Sequence, residues 1–229
     1  MTLNDIVARV REQIIDLPSE IEPLIAEWVY GAIRSAEDRH NFWYMEAEEQ
    51  YTTQPDERAL GAKPADWKEA RRPPSVTLND GGQSVIEWAS SDTDMELRPG
   101  LRQDGRPFYL LQTADEVLVY PTSDGRSDWP DGEYRIRVPY WRRTELPAPL
   151  EQSHWLTANA PLYLIYYASY HALVFNRDEE RAAGYVTLAE REFQRVRRLD
   201  KRSRLPDTLT LTPYTGALGP GRRVGRRRI

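Results

Sequence analysis

The sequence contains no cysteine and only three histidines in 229 residues. Without cysteine, the chain has neither a disulfide framework nor a thiolate metal site. His40, His154 and His171 are not spaced as metal ligands. The sequence also lacks a Gly-x-Ser-x-Gly motif and a Walker-type phosphate loop. We therefore expect no catalytic residue, no cofactor and no metal, and a protein that is not an enzyme.

Charged residues are absent between Trp155 and Asn176, although they make up 29% of the chain. A helix from about Ala160 to Phe175 would span about 24 Å, less than the roughly 30 Å of a bilayer core. Tyrosines also crowd its middle, whereas aromatic hydroxyls belong at membrane interfaces. We expect no membrane contact here, but a helix covered by protein on all sides.

This central helix carries its own start signals. Asn159 is predicted to cap it, and Pro161 lies in the first turn, where a missing N–H does no harm. Leu162, Ile165 and Leu173 are predicted to face an intrachain core. The residues predicted to contact a second subunit are Tyr163, Leu164, Tyr167 and Tyr170.

Two further helices are predicted at the N-terminus. Thr2 and Asp5 form a capping box for a helix over about Leu3–Leu17. Pro18 ends this helix, and a second helix then extends to about Arg39. The aromatic residues that follow, Phe42, Trp43 and Tyr44, are predicted to be core residues. The opening sequence, MTLNDIVARVREQ, has no signal-peptide pattern, which predicts a protein made in a cytoplasm.

The middle of the chain changes in composition at about residue 46 and in its apolar periodicity at about residue 75. Residues 46–74 are rich in charge, Pro and Gly, and are predicted to form a long loop with a short helix near 65–71. From about residue 75 to 141 the apolar residues alternate with period two, and turn sequences such as Asp104-Gly105 separate the runs. This pattern predicts a small antiparallel β insertion.

A last helix is predicted from about Asp178 to Arg202, with acids in its first turn. Residues 203–229 cannot build a core and predict an extended arm. The expected fold is α+β, mainly a helical bundle with a small antiparallel β insertion and an extended C-terminal arm. Residues 1–202 form one domain, with helices in 3–45 and 150–202.

The two ends of the chain differ in charge. Residues 191–229 carry 12 of the 31 basic residues and 3 of the 36 acidic ones, while the whole chain has a net charge of -5. The body is therefore acidic and the tail basic. The tail arginines are compatible with phosphate backbones, with an acidic protein surface, or with simple solvation.

An ordered series of features runs through the second half. A strand ends in Val138–Trp141, a proline-bearing link follows, and then Trp155–Leu156. Asn159–Pro161 open a Tyr/Leu-rich helix, and the acidic break Asp178–Glu180 leads into a final helix that ends near Asp200. This series resembles the head-to-tail adaptor (connector) proteins of tailed bacteriophages. The resemblance covers about residues 3–44 and 133–201.

The resemblance implies a structural protein of the virion neck, assembled in the host cytoplasm. About twelve copies would form a ring below the portal, extend the DNA channel without reading sequence, and offer a surface to the next tail or neck protein. The C-terminal arm is then predicted to bind the portal. Its predicted portal-binding residues are Leu209, Leu211, Tyr214, Arg222, Arg223, Arg226, Arg227 and Arg228. The alternative is a nucleic-acid-binding protein that uses the arginine-rich tail.

Overall fold

The computed structural model describes residues 1–14, 18, 21–77, 82–92, 105–124, 133–147 and 152–204. Two helices come first, a β unit follows, and three helices complete this part of the chain. Within these ranges, no helix is both long enough and apolar enough to cross a membrane.

The first helix begins, and the second ends, where the sequence predicted. Helix α1 is Leu3–Gln13, and its capping box is formed: Thr2 N–H donates to the Asp5 carboxylate at 2.8 Å, and Asp5 N–H donates to Thr2 Oγ1 at 3.2 Å. The predicted extension to residue 17 is wrong at its start, because the helix ends at Gln13 and Ile14 is extended; residues 15–17 lie outside the described residues. Helix α2 is Glu22–Arg39 and ends at the predicted residue.

Three helices follow the β unit: α3 is Trp155–Asn159, α4 is Pro161–Phe175 and α5 is Glu179–Ser203. Pro161 occupies the first turn of α4, as predicted. The predicted N-cap, Asn159, is wrong, because this residue ends α3 and its side-chain amide donates to the Trp155 carbonyl at 2.9 Å. Helix α5 is capped by Asp178, whose carboxylate accepts from the Arg181 N–H at 3.2 Å.

The β unit contains two sheets. The strands are β1 Glu46–Thr52, β2 Ala59–Ala62, β3 Trp67–Ala70, β4 Ser75–Thr77, β5 Gln83–Val85, β6 Glu87–Trp88, β7 Tyr109–Gln112, β8 Glu116–Tyr120 and β9 Arg135–Arg142. One sheet has the order β1-β9-β4-β5, with β3 also paired to β9, and the other has the order β2-β8-β7-β6. All pairs are antiparallel except β6 with β7, which are parallel.

The prediction of a mainly helical bundle is wrong. The described residues are 46% helical and 25% strand, with two sheets and five helices, so the fold is a mixed α+β fold. The main cause is residues 46–74, which were predicted as a loop with a short helix near 65–71 and which instead contain β1, β2 and β3, the last at Trp67–Ala70. Only Tyr51 of β1 is buried, so no apolar alternation marks the strand. Its backbone ladder to β9 holds it in place, and the exposed ion pair of 2.9 Å between Glu48 and Arg137 adds little.

Two main apolar clusters stabilise the fold. The helices share one cluster, and the facing sheets share a second that includes Val76, Leu110 and Ile136. Strand β9 joins both, since Ile136 and Val138 pack between the sheets while Trp141 packs with the helices. The β unit is therefore attached to the helices through the C-terminal end of β9.

Candidate functional site

Two fully buried carboxylates lie where the helices meet the β unit. Glu37 belongs to α2 and Asp200 to α5. A buried charge is costly unless its oxygen atoms find donors, so the partners of each carboxylate decide what it does.

Asp200 holds the segment that follows α2. Its Oδ1 accepts from the Trp43 N–H at 2.9 Å, and its Oδ2 lies 2.9 Å from His40 Nε2 and 2.9 Å from an Arg204 nitrogen. Burial alone would raise the pKa of Asp200. The hydrogen bonds from His40 and from the Trp43 N–H outweigh burial and hold the pKa below its ordinary value.

Glu37 holds the segment that follows β9. Its carboxylate accepts from the Thr144 hydroxyl and lies 3.0 Å from an Arg34 nitrogen. His154 Nδ1 accepts from the Leu156 N–H at 3.2 Å, so Nε2 carries the proton that is donated to Thr144 Oγ1 at 2.9 Å. Burial raises the pKa of Glu37, but the His154 ring, whose Nε2 lies 3.6 Å from the carboxylate, and the hydrogen bond from Thr144 more than offset this and lower it.

This junction is structural in character. Each carboxylate is already engaged by fixed donors, which leaves no acid or base oriented toward a substrate. No group of three or more His, Asp or Glu side chains in the described part of the chain is arranged to hold a metal ion. The surfaces around the junction are therefore the better candidates for function.

The aromatic triplet that follows α2 is divided by the fold. Phe42 is fully buried, and Tyr44 stacks on Trp155 with 4.9 Å between ring centroids, so the prediction of core residues holds for these two. It is wrong for Trp43, whose surface is 46% exposed. The Trp43 indole is exposed, while its backbone N–H donates to Asp200.

The fold separates the predicted subunit-contact residues of α4 into two pairs. Tyr163 and Leu164 are buried within the chain, and the Tyr163 hydroxyl donates to the Ala32 carbonyl of α2 at 3.3 Å. Tyr167 and Tyr170 are half-buried. Only the second pair is therefore accessible to a neighbour in this conformation.

The outward face of α4 carries further apolar residues. Leu162, which was predicted to face the core, is 37% exposed, and Val174 and Phe175 are 43% and 59% exposed. Leu162, Tyr166, Tyr170 and Val174 recur every fourth residue, so they lie along one broad side of the helix. We call these four residues the α4 outer face. The charge-free sequence was a signal for it, because a helix that is apolar nearly all round needs cover on every side and this chain leaves Leu162 and Val174 exposed.

Helix α5 exposes a basic stripe. Arg191, Arg195, Arg198 and Arg202 are all exposed and line, with Glu192 and Leu199, a shallow groove of about 310 Å³. Their spacing of four, three and four residues keeps them on one side of the helix. The stripe suits an anionic surface.

The predicted portal-binding residues, from Leu209 to Arg228, lie outside the described residues. The structure therefore gives no positions for them, and their role remains a prediction from the sequence.

Comparison with known protein families matches residues 1–214 to the family described as SU10 adaptor protein. This match confirms the resemblance that the ordered features of the second half indicated. No curated protein matches the sequence significantly.

Proposed function

Because this chain belongs to the SU10 adaptor protein family, a family of phage head-tail adaptors, we propose that about twelve copies form a ring between portal and tail. The ring lies in the neck of the virion, extends the DNA channel and gives the next tail or neck protein its attachment surface. The subunits are made in the host cytoplasm and assembled there. The role is structural and needs no catalysis.

The observation that supports the ring is the α4 outer face. In this row Leu162 and Val174 are exposed while Tyr166 and Tyr170 are half-buried, and partly exposed apolar and tyrosine side chains are typical of a protein interface. A neighbouring subunit would cover this face with a different part of its own surface, since a head-to-tail contact of this kind closes into a ring. Tyr167 and Tyr170 are the accessible members of the predicted interface and would lie in or beside the contact.

The ring is tested by native mass spectrometry of the purified protein, alone and with portal. We expect a ring of about twelve subunits, alone or on the portal. A protein that stays monomeric or dimeric in both conditions contradicts the proposal.

The arm after α5 is the proposed attachment to the portal. Leu209 and Leu211 alternate with threonines, a pattern that suits addition of a strand to an exposed sheet edge. The five arginines from Arg222 to Arg228 would meet acidic side chains or carbonyls, for which planar bidentate donors are well suited. Repetition of a weak contact around the ring would make the attachment strong.

A second candidate is nucleic-acid binding, which the basic stripe of α5 favours in addition to the arginines of the tail. In the ring, genomic DNA would pass an acidic body (net charge -5 for the chain) without sequence-specific contacts. In the alternative, the arginines neutralise phosphates and the affinity falls steeply with salt.

Removal of residues 206–229 separates the two candidates. Portal binding is measured without DNA, and DNA binding is measured without portal, after thermal unfolding has established that the shortened chain folds. Loss of portal binding supports the attachment role. Unchanged portal affinity together with weaker DNA binding contradicts it.

A further inference from the structure

An open groove of about 680 Å³ lies where the end of α5 meets the β unit. It is distinct from the α4 outer face and from the basic stripe. Its lining residues are Trp43, Glu46, Arg71, Arg72, Trp141, Ser203 and Arg204. The last two are also the last described residues of the chain.

The floor of the groove is aromatic and rigidly built. The guanidinium groups of Arg71 and Arg204 lie 5.1 and 5.0 Å from the ring centroid of Trp141. Each is fixed by an acid, Arg71 by Glu46 at 2.6 Å and Arg204 by Asp200 at 2.9 Å. Cation–π contacts and ion pairs together hold these side chains in place.

Two groups in the groove remain available to a ligand. The indole of Trp43 is partly exposed and provides an apolar surface in the groove. Arg72 is exposed, and its guanidinium has no hydrogen-bond or ion-pair partner among the residues that the structure describes. The groove therefore suits a short segment that combines an apolar group with a carboxylate.

We propose that the groove is occupied by Leu205, Pro206 and Asp207 of the same chain. This segment begins at the rim, because Arg204 lines the groove. Pro206 disfavours helical geometry at Leu205 and favours an extended chain. Three extended residues reach about 10 Å, which lets the segment run along the groove that Arg204, Trp43 and Arg72 line together. In this arrangement Leu205 and Pro206 would cover the Trp43 indole, and the Asp207 carboxylate would meet Arg72.

Charge and connectivity favour this occupant over others. The arginine-rich end of the arm is repelled by the basic groove, whereas Asp207 is attracted. A covalently attached segment also has an effective concentration in the millimolar range, which a separate peptide does not reach. The groove thus fixes the direction in which the arm leaves the body. This adds to the proposed function, but it is tested in the free subunit without any portal.

The test uses the full-length chain labelled with 5-fluorotryptophan. The chain has seven tryptophans, and Trp43→Phe identifies the Trp43 resonance in the fluorine NMR spectrum. We expect Leu205→Ser/Pro206→Ser to shift this resonance and to increase its broadening by a soluble paramagnetic agent. Arg9→Glu, an exposed change on α1, is the control and should leave the resonance unmoved.

Charge exchange tests the predicted pair. Arg72→Glu and Asp207→Arg should each expose Trp43, and the double variant should restore the original resonance. The proposal is overturned if the changes at 205–207 leave Trp43 unaltered, or if the double variant behaves as the sum of the two single ones. It is also overturned if the Trp43 signal depends on protein concentration, because the segment would then come from another copy.

Discussion

Replacing Asp200 with alanine should destabilise the subunit strongly, although the residue lies near the end of the described chain. The change leaves the Trp43 N–H without its acceptor, which costs about 1–3 kcal/mol for a buried donor. It also removes the charge that faces His40 and Arg204 in a fully buried position. Loss of one partner of a buried pair costs about 3–5 kcal/mol, but Arg204 is partly exposed and can turn to water. We therefore expect a loss of about 3 kcal/mol.

Urea unfolding at neutral pH, followed by tryptophan fluorescence, measures this loss. With a typical slope for urea, about 3 kcal/mol lowers the midpoint by roughly 1 M or more. Asp38→Ala is the matched control: Asp38 is exposed and lies 3.6 Å from Arg143, so its removal should cost less than about 1 kcal/mol. If the two variants unfold at the same urea concentration, Asp200 does not hold the junction together.

Two further predictions concern the interface and pH. Tyr170→Asp, in the α4 outer face, should leave the subunit folded but prevent ring formation, whereas Leu164→Asp should unfold the subunit because Leu164 is fully buried. Circular dichroism measures whether each variant is folded, and native mass spectrometry measures whether it forms rings. Normal rings of the Tyr170 variant would contradict the proposed interface. The pKa values of Glu37 and Asp200 are lowered in the folded state, so their contribution to stability is present above their ordinary values of 4.5 and 3.8 and is lost as the pH falls through the folded-state values. The urea concentration at the unfolding midpoint should therefore fall when the pH is lowered below about 4.5. This fall should be smaller in Asp200→Asn than in the unaltered protein. An equal fall in both would show that Asp200 is not responsible.

The sequence by itself determined the helices. Helical spacing of apolar residues gives α1, α2 and α5, and Pro161 with the charge-free run that follows it gives α4, because these signals act over only a few residues. The Thr2–Asp5 capping box is formed, and the acids predicted at the start of the last helix lie there, Asp178 as the cap and Glu179 and Glu180 in the first turn. The order of features along residues 133–201 was also sufficient to indicate the adaptor family.

The burial of the two acids could also be predicted in part from the sequence. Asp200 continues the apolar series of Phe193 and Val196, and Glu37 follows Val29 and Ile33 at four-residue spacing. Helical geometry alone therefore assigns both acids to a buried side. Their hydrogen-bond partners could not be predicted from the sequence, since His154 lies more than a hundred positions from Glu37 along the chain.

Tertiary structure decided the rest. Strand β1 has no apolar alternation, and it is a strand because β9, far along the chain, completes its hydrogen bonds. Helix α4 is apolar nearly all round, so no pattern in it could tell which side its own chain covers. The packing of α2 and α5 buries Tyr163 and Leu164 and leaves Leu162 and Tyr170 accessible. Local sequence fixes a helix, but only the neighbouring elements decide which of its faces remains for a partner.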